Sequence, residues 1–133
     1  MDVKGMREIL FRGKRLDNGE WVEGYFVNLW LIHYQKHQPI ITDNNAVSYD
    51  VDPSTVGQYT GLTDKNGKKI FEGDIMAFTA YGFDYVGTVE FADGSFSIMC
   101  QHTSSFLDQA VSKHGAYIIG NMHDNPELLK GAE

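Results

Sequence analysis

Cysteine is almost absent from this chain: Cys100 is the only one among 133 residues. One thiol closes no intramolecular disulfide and completes no multi-cysteine zinc site, so the disulfide-framework and zinc-ribbon classes are excluded. Long apolar runs are absent as well. Nothing approaches the roughly 18 residues a membrane-spanning helix requires, and residues 1–14 lack the basic, apolar and small-residue zones of a secretory signal. The expected setting is cytoplasmic, with no membrane partner. Missing too are a Gly-x-Ser-x-Gly nucleophile elbow and a Gly-x-x-x-x-Gly-Lys-Ser/Thr phosphate loop, while Gly82 and Gly87 do not form a dinucleotide fingerprint.

Positive charge is scarce in one half. Residues 70–133 hold nine acids against only Lys113 and Lys130, whereas residues 1–69 hold nine of each sign, so the net charge of -7 resides in the second half. Affinity for nucleic acid comes largely from cations that displace condensed counterions, which makes nucleic acid an unfavoured partner there. The first half keeps two basic clusters, Lys4/Arg7/Arg12/Lys14/Arg15 and Lys65/Lys68/Lys69, the first interleaved with Phe11, Trp21 and Tyr25. A small nucleic-acid patch is one reading of the first cluster. A solvated face with Glu8, Glu20 and Glu23 as counter-charges is the simpler one.

What is present is turn chemistry. With 42% hydrophobic and 22% charged residues, the chain has the composition of one soluble domain over residues 1–133, with 1–60 and 61–133 as candidate sub-domains. Asn18-Gly19, as a two-residue hairpin loop, pairs Leu16 with Trp21, Lys14 with Glu23, Arg12 with Tyr25 and Phe11 with Phe26. Asp93-Gly94 pairs Phe91 with Phe96, Val89 with Ile98 and Gly87 with Cys100. That register buries Phe91, Phe96, Val89 and Ile98 on one face and leaves Thr88, Glu90, Ser95 and Ser97 on the other. Asn66-Gly67 joins residues 56–63 to 69–71, although a two-residue loop there sets Lys65 against Lys68. Glu72-Gly73-Asp74 turns the chain into a strand over residues 75–80, followed by an aromatic loop over residues 80–84.

Helix signals are few. Ser105 caps a helix carrying Phe106, Leu107, Ala110 and Val111 and ending before Gly115. Asn125-Pro126-Glu127 starts a short C-terminal helix, with Asn capping free amides and Pro at the first helical position, docked through Leu128 and Leu129. Residues 117–122 form a central or barrel-closing strand, and residues 29–52 a long hairpin or ordered loop. The expected fold is mainly β, with antiparallel hairpins forming a small barrel or sandwich and short helices including the C-terminal one.

Chemistry-bearing constellations are sparse. His33 and His37 have the spacing of metal ligands on a helix, but their neighbours read as strand or loop. Asp64-Lys65-Asn66-Gly67 opens like a calcium loop, yet Ile75 stands where the bidentate Glu belongs. No metal, cofactor or catalytic residue is therefore expected, and Cys100 reads as a small apolar group on an inner face. The candidate pocket is His123 and Asp124 with Asn121, near Glu72 and Asp74, at the mouth of an apolar strand; turn closure by Asx side chains is the simpler role. The candidate interface is Tyr81, Phe83 and Tyr85 together with Trp30. These aromatics, with Leu31 and Ile32, exceed what so small a β core needs to bury, which points to a homo-oligomer.

The order of motifs adds a family resemblance. Phe11-Arg12-Gly13-Lys14, then Asn18-Gly19-Glu20-Trp21-Val22-Glu23-Gly24-Tyr25, begin it. Val56-Gly57-Gln58-Tyr59-Thr60-Gly61-Leu62-Thr63-Asp64-Lys65-Asn66-Gly67 continues directly into Lys68-Lys69-Ile70-Phe71-Glu72-Gly73-Asp74-Ile75. Ile118-Ile119-Gly120-Asn121-Met122-His123-Asp124-Asn125-Pro126-Glu127-Leu128-Leu129 closes it. In this order and spacing they resemble the YopX-like phage and prophage proteins. The resemblance implies a mainly β fold and a phage or prophage gene in a bacterial host, and supplies no activity, cofactor or catalytic residue. The expected function is an accessory binding or self-assembling module whose partner is a second copy or a host or phage protein. The alternatives are a nucleic-acid-linked or DNA-mimicking regulator, or an enzyme with its pocket near His123.

Overall fold

The computed structural model describes residues 9–130, so Lys4, Arg7 and Glu8 of the first basic cluster lie outside the described residues. The chain divides into two compact units, Met1–Tyr59 and Thr60–Glu133. Each is built on antiparallel strands.

The first unit contains β1 (Phe11–Lys14), β2 (Trp21–Leu31), β3 (Lys36–Thr42), β4 (Ser48–Asp50) and the beginning of β5 (Gly57–Thr63). Its strand order is β4-β3-β2-β1-β5. The hairpin at Asn18-Gly19 forms, but in a different register: Phe11 faces Gly24, Arg12 faces Glu23 and Lys14 faces Trp21. The reason is loop length. Arg15 N–H donates to Glu20 C=O at 2.9 Å and Gly19 N–H to Arg15 C=O at 2.9 Å, so four residues, not two, make the turn. The slip is an even number of residues, so each side chain stays on its expected face. The core of this unit is small: Ile41 and Val51 are fully buried. They close over Gly13, where a Cβ would lie 3.1 Å from Ile41 Cδ1 and 3.3 Å from Val51 Cβ.

In the second unit β5 continues into a hairpin with β6 (Lys69–Phe71), followed by β7 (Asp74–Ala80), β8 (Phe83–Ala92), β9 (Ser95–Met99) and β10 (Ser104–Phe106). Helix α1 (Leu107–His114), β11 (Tyr117–Asn121) and helix α2 (Glu127–Lys130) complete it. A five-stranded sheet runs β10-β9-β8-β7-β11. This order is open, as is that of the first unit, so neither closes into a barrel. Strand β11 lies at an edge with a bulge between Ile118 and Gly120, instead of taking the central or closing place expected of it.

The Asp93-Gly94 hairpin has the expected register, with Val89 opposite Ile98 and Phe91 opposite Phe96. Asp93 and Gly94 have φ of +53° and +83°, the left-handed pair of a two-residue loop. Its burial differs from expectation. Val89 and Ile98 are buried, but Phe91, closer to the turn, is 56% exposed, while Thr88 and Ser97 on the opposite face are buried. The sheet centre is covered on both faces, whereas toward the hairpin tip Phe96 is only half-buried against the core and Phe91 is exposed. At Asn66-Gly67 the paired residues are Asp64 and Lys68, with Asp64 N–H donating to Lys68 C=O at 2.8 Å, so a three-residue loop keeps Lys65 and Lys68 from facing each other. The expected aromatic loop shrinks to Tyr81-Gly82, because Phe83 already pairs with Ala80.

Met76, Phe78, Ala80, Val89 and Ile98 pack with Leu107 and Ala110 of α1, joining the sheet to the helix. Ser105 lies in β10 and caps nothing; α1 starts after Phe106 and stops at Gly115, whose φ of +61° ends it. Asn125 turns its side-chain oxygen back to Asn121 N–H at 3.2 Å, and its carbonyl accepts from Leu128 N–H at 3.1 Å. Leu128 and Leu129 are half-buried.

Candidate functional site

Beyond Gly24, β2 loses β1 as a neighbour, and β4 supports β3 only at Ile40–Thr42. The pairs Asn28–Pro39, Leu29–Gln38, Trp30–His37 and Leu31–Lys36 therefore form a two-stranded arm, closed by a 3-10 turn over Ile32–Tyr34. Cross-strand alternation places Tyr25, Val27, Leu29 and Ile40 on one face of this ribbon. Tyr25, Val27 and Leu29 are exposed, Trp30 is half-exposed against His37 at 4.9 Å, and Ile32 and Tyr34 at the tip are each 74% exposed. From residue 24 to residue 42 there is no Asp or Glu, and Lys36 is the sole Lys or Arg. The exposed apolar side chains lie on both faces of this thin ribbon, Trp30 on the face opposite Val27 and Leu29.

The five residues of the candidate pocket lie close along the chain fold. Asn121 is the cross-strand partner of Asp74, and Met122 N–H donates to Gly73 C=O at 2.8 Å. A Cβ on Gly73, whose φ is +90°, would lie 3.7 Å from His123 Nε2, so the imidazole sits over the Glu72-Gly73-Asp74 turn. Asn121 Oδ1 accepts from His123 N–H at 3.0 Å and Asp124 N–H at 2.9 Å, and its amide donates to Asp124 Oδ2 at 3.1 Å. Asp74 is buried and its Oδ2 accepts from Phe71 N–H at 2.8 Å. These bonds close two adjoining turns. Of the candidate interface residues, Tyr81 and Phe83 are exposed and Tyr85 is half-buried, stacked on Phe78 at 5.1 Å.

Sequence reasoning missed two features. One is the length of the apolar arm, of which it named Trp30, Leu31 and Ile32; the acid-free stretch around them was the available signal. The other is Asp64. It is buried, its Oδ1 accepts from Asn66 N–H at 2.9 Å and Lys68 N–H at 3.0 Å, and its Oδ2 reaches Ile118 N–H at 3.0 Å. Burial by itself would raise the pKa of this carboxyl, but the amides of Ile118, Lys68 and Asn66, with the Lys68 charge, hold it below the ordinary aspartate value. Burial pushes the Cys100 thiol up, away from the thiolate that nucleophilic chemistry needs. In the basic cluster, Arg12 and Lys14 lie over the Trp21 ring, at 4.7 Å and 5.5 Å from its centroid.

A family model described as YopX protein matches residues 10–130. The chain belongs to the YopX family. The solved structure of protein EF1440 from Enterococcus faecalis is similar to this YopX-family chain, with a TM-score of 0.58 and 26% identity, covering 93% of this chain and 99% of that one. No curated protein matches the YopX-family chain. Among its described residues, no helix is long and apolar enough to cross a membrane.

Proposed function

We propose that this chain is a self-assembling accessory module of a phage or prophage, acting in the cytoplasm of the bacterial host by contact rather than by catalysis. The observation that carries this reading is the β2–β3 arm, where Leu29, Trp30, Ile32 and Tyr34 are exposed on an acid-free ribbon. A chain with a net charge of -7 repels its own copies, but least where it bears no acid, and the arm is that place. Burying such a ribbon against a second copy also shields its edges from unspecific pairing.

The test is the particle mass in solution. Light scattering coupled to size exclusion, at tens of micromolar protein, is expected to give a multiple of 15.0 kDa for the native chain. Trp30→Glu combined with Ile32→Asp should return it to 15.0 kDa with an unchanged circular dichroism spectrum, because both side chains are exposed. A native mass of 15.0 kDa would sink the reading.

A further inference from the structure

The second unit contains a cleft of about 310 Å³ between the β7–β8 turn, β10 and α1. We infer that it binds a planar aromatic anion of the size of a nucleoside monophosphate. Phe78 and Ala80, both buried, form its floor. On that floor Tyr85 stacks at 5.1 Å and 21° to Phe78, and His114 lies nearly parallel at 6.0 Å and 23°. Tyr81 meets His114 edge-on at 5.6 Å, and Phe106, largely exposed, stands in the lining from β10. Phe78 is buried in this stack, which leaves Tyr81, Tyr85, Phe106 and His114 as the lining rings for a flat heterocycle, by the stacking that holds bases on aromatic platforms.

Charge selects the sign. The lining contains no acid, in a half of the chain that carries nine acids and only two lysines, and one of those two, Lys113, lines the cleft. An ammonium beside an aromatic floor suits a phosphate attached to a ring. Ser104, Ser105 and Gln109 also line the cleft, and such residues can supply donors and acceptors for a sugar or a base edge. Size favours a single small ligand: clefts for small molecules run from roughly 300 to 1,000 Å³, and this one lies at the lower end.

The turn itself supports the assignment. Tyr81 has φ of +54° and Gly82 +82°, a left-handed pair that asparagine-glycine forms without strain and tyrosine does not. Tyr81 is 86% exposed, so core packing does not explain its presence. A ring held at the rim of the cleft does.

The experiment is a titration of the isotope-labelled full chain with AMP, followed by amide shifts, with adenosine, inorganic phosphate and phenyl phosphate as comparators. AMP is expected to shift Tyr81, Tyr85, Gln109 and Lys113 saturably, adenosine to bind several-fold more weakly, and inorganic phosphate not to saturate. Lys113→Gln should bring AMP to the adenosine level. Tyr81→Asn, which suits the left-handed turn and so keeps the fold, should weaken AMP roughly 10-fold, the loss of one stacking contact. Absence of saturable shifts at these residues with AMP up to about 10 mM, beyond the millimolar range of a single weak contact, would overturn the proposal. Phenyl phosphate binding as tightly as AMP would overturn the nucleotide assignment.

Discussion

Asp64 joins two segments that are far apart in the sequence. Its carboxylate closes the β5–β6 turn through Asn66 and Lys68 and ties β11 through Ile118, a contact across 54 positions. The folded-state pKa is depressed, so the unfolded chain takes up this proton at higher pH than the folded one. The stabilisation is therefore complete above about pH 4, near the ordinary aspartate pKa, and is lost as pH falls through the folded value. Asp64→Asn should cost about 1.5 to 3 kcal/mol at neutral pH, the range for a bond to a charged acceptor. In urea denaturation the gap between native and variant should close on acidification. A gap that stays constant from neutral pH to below pH 3 would mean that the charge of Asp64 contributes nothing.

At the scale of elements, two glycines separate conformational strain from crowding. Gly67 ends the β5–β6 turn at φ of +81° with nothing within 4 Å of its missing Cβ, so Gly67→Ala meets only the left-handed backbone penalty of about 1 to 2 kcal/mol. Gly24 has no positive φ, but a Cβ there would overlap the Thr42 carbonyl group on β3. Gly24→Ala must push two backbones apart and should cost more, about 2 kcal/mol or above, because the obstacle is main chain that cannot rotate away. Thermal or urea unfolding of the two variants checks the order. A Gly24→Ala protein as stable as Gly67→Ala would show that β2 and β3 separate freely at this point.

At the scale of the whole molecule, stability is expected to differ between the core of the second unit and the arm of the first. Met76, Val89 and Ile98 lie in a core covered by α1, whereas Leu29–His37 stand in a ribbon with no third strand. Amide hydrogen exchange should be slowest at the first group and, in dilute protein, fastest along the arm. Raising the protein concentration should slow exchange in the arm alone if a second copy covers it. Exchange in the arm that is independent of concentration, with a native monomer mass, would return its apolar side chains to solvent.

Turn chemistry was legible in the sequence because it is local. Gly19, Gly67 and Gly94 adopt the positive φ that their Asn or Asp partners announce, and a chain punctuated this way between short apolar segments can only be a set of antiparallel hairpins. The candidate turn residues Asn121 and Asp74 were likewise legible, since Asx side chains bond backbone a few positions away. Loop length was not, and it set the register: a two-residue and a four-residue loop share the Asn18-Gly19 signal but differ in which closing hydrogen bonds form. Nor was burial. Phe91 and Val89 alternate identically along β8, yet only Val89 lies under the helix that packs 18 positions later, at Leu107. The bond from Ile118 to Asp64, the freedom of the β2–β3 arm and the cleft that gathers Phe78, Tyr85 and His114 are products of tertiary structure alone. Each depends on which distant segment arrives beside which, and that is decided by the summed packing of the core rather than by any short run of residues.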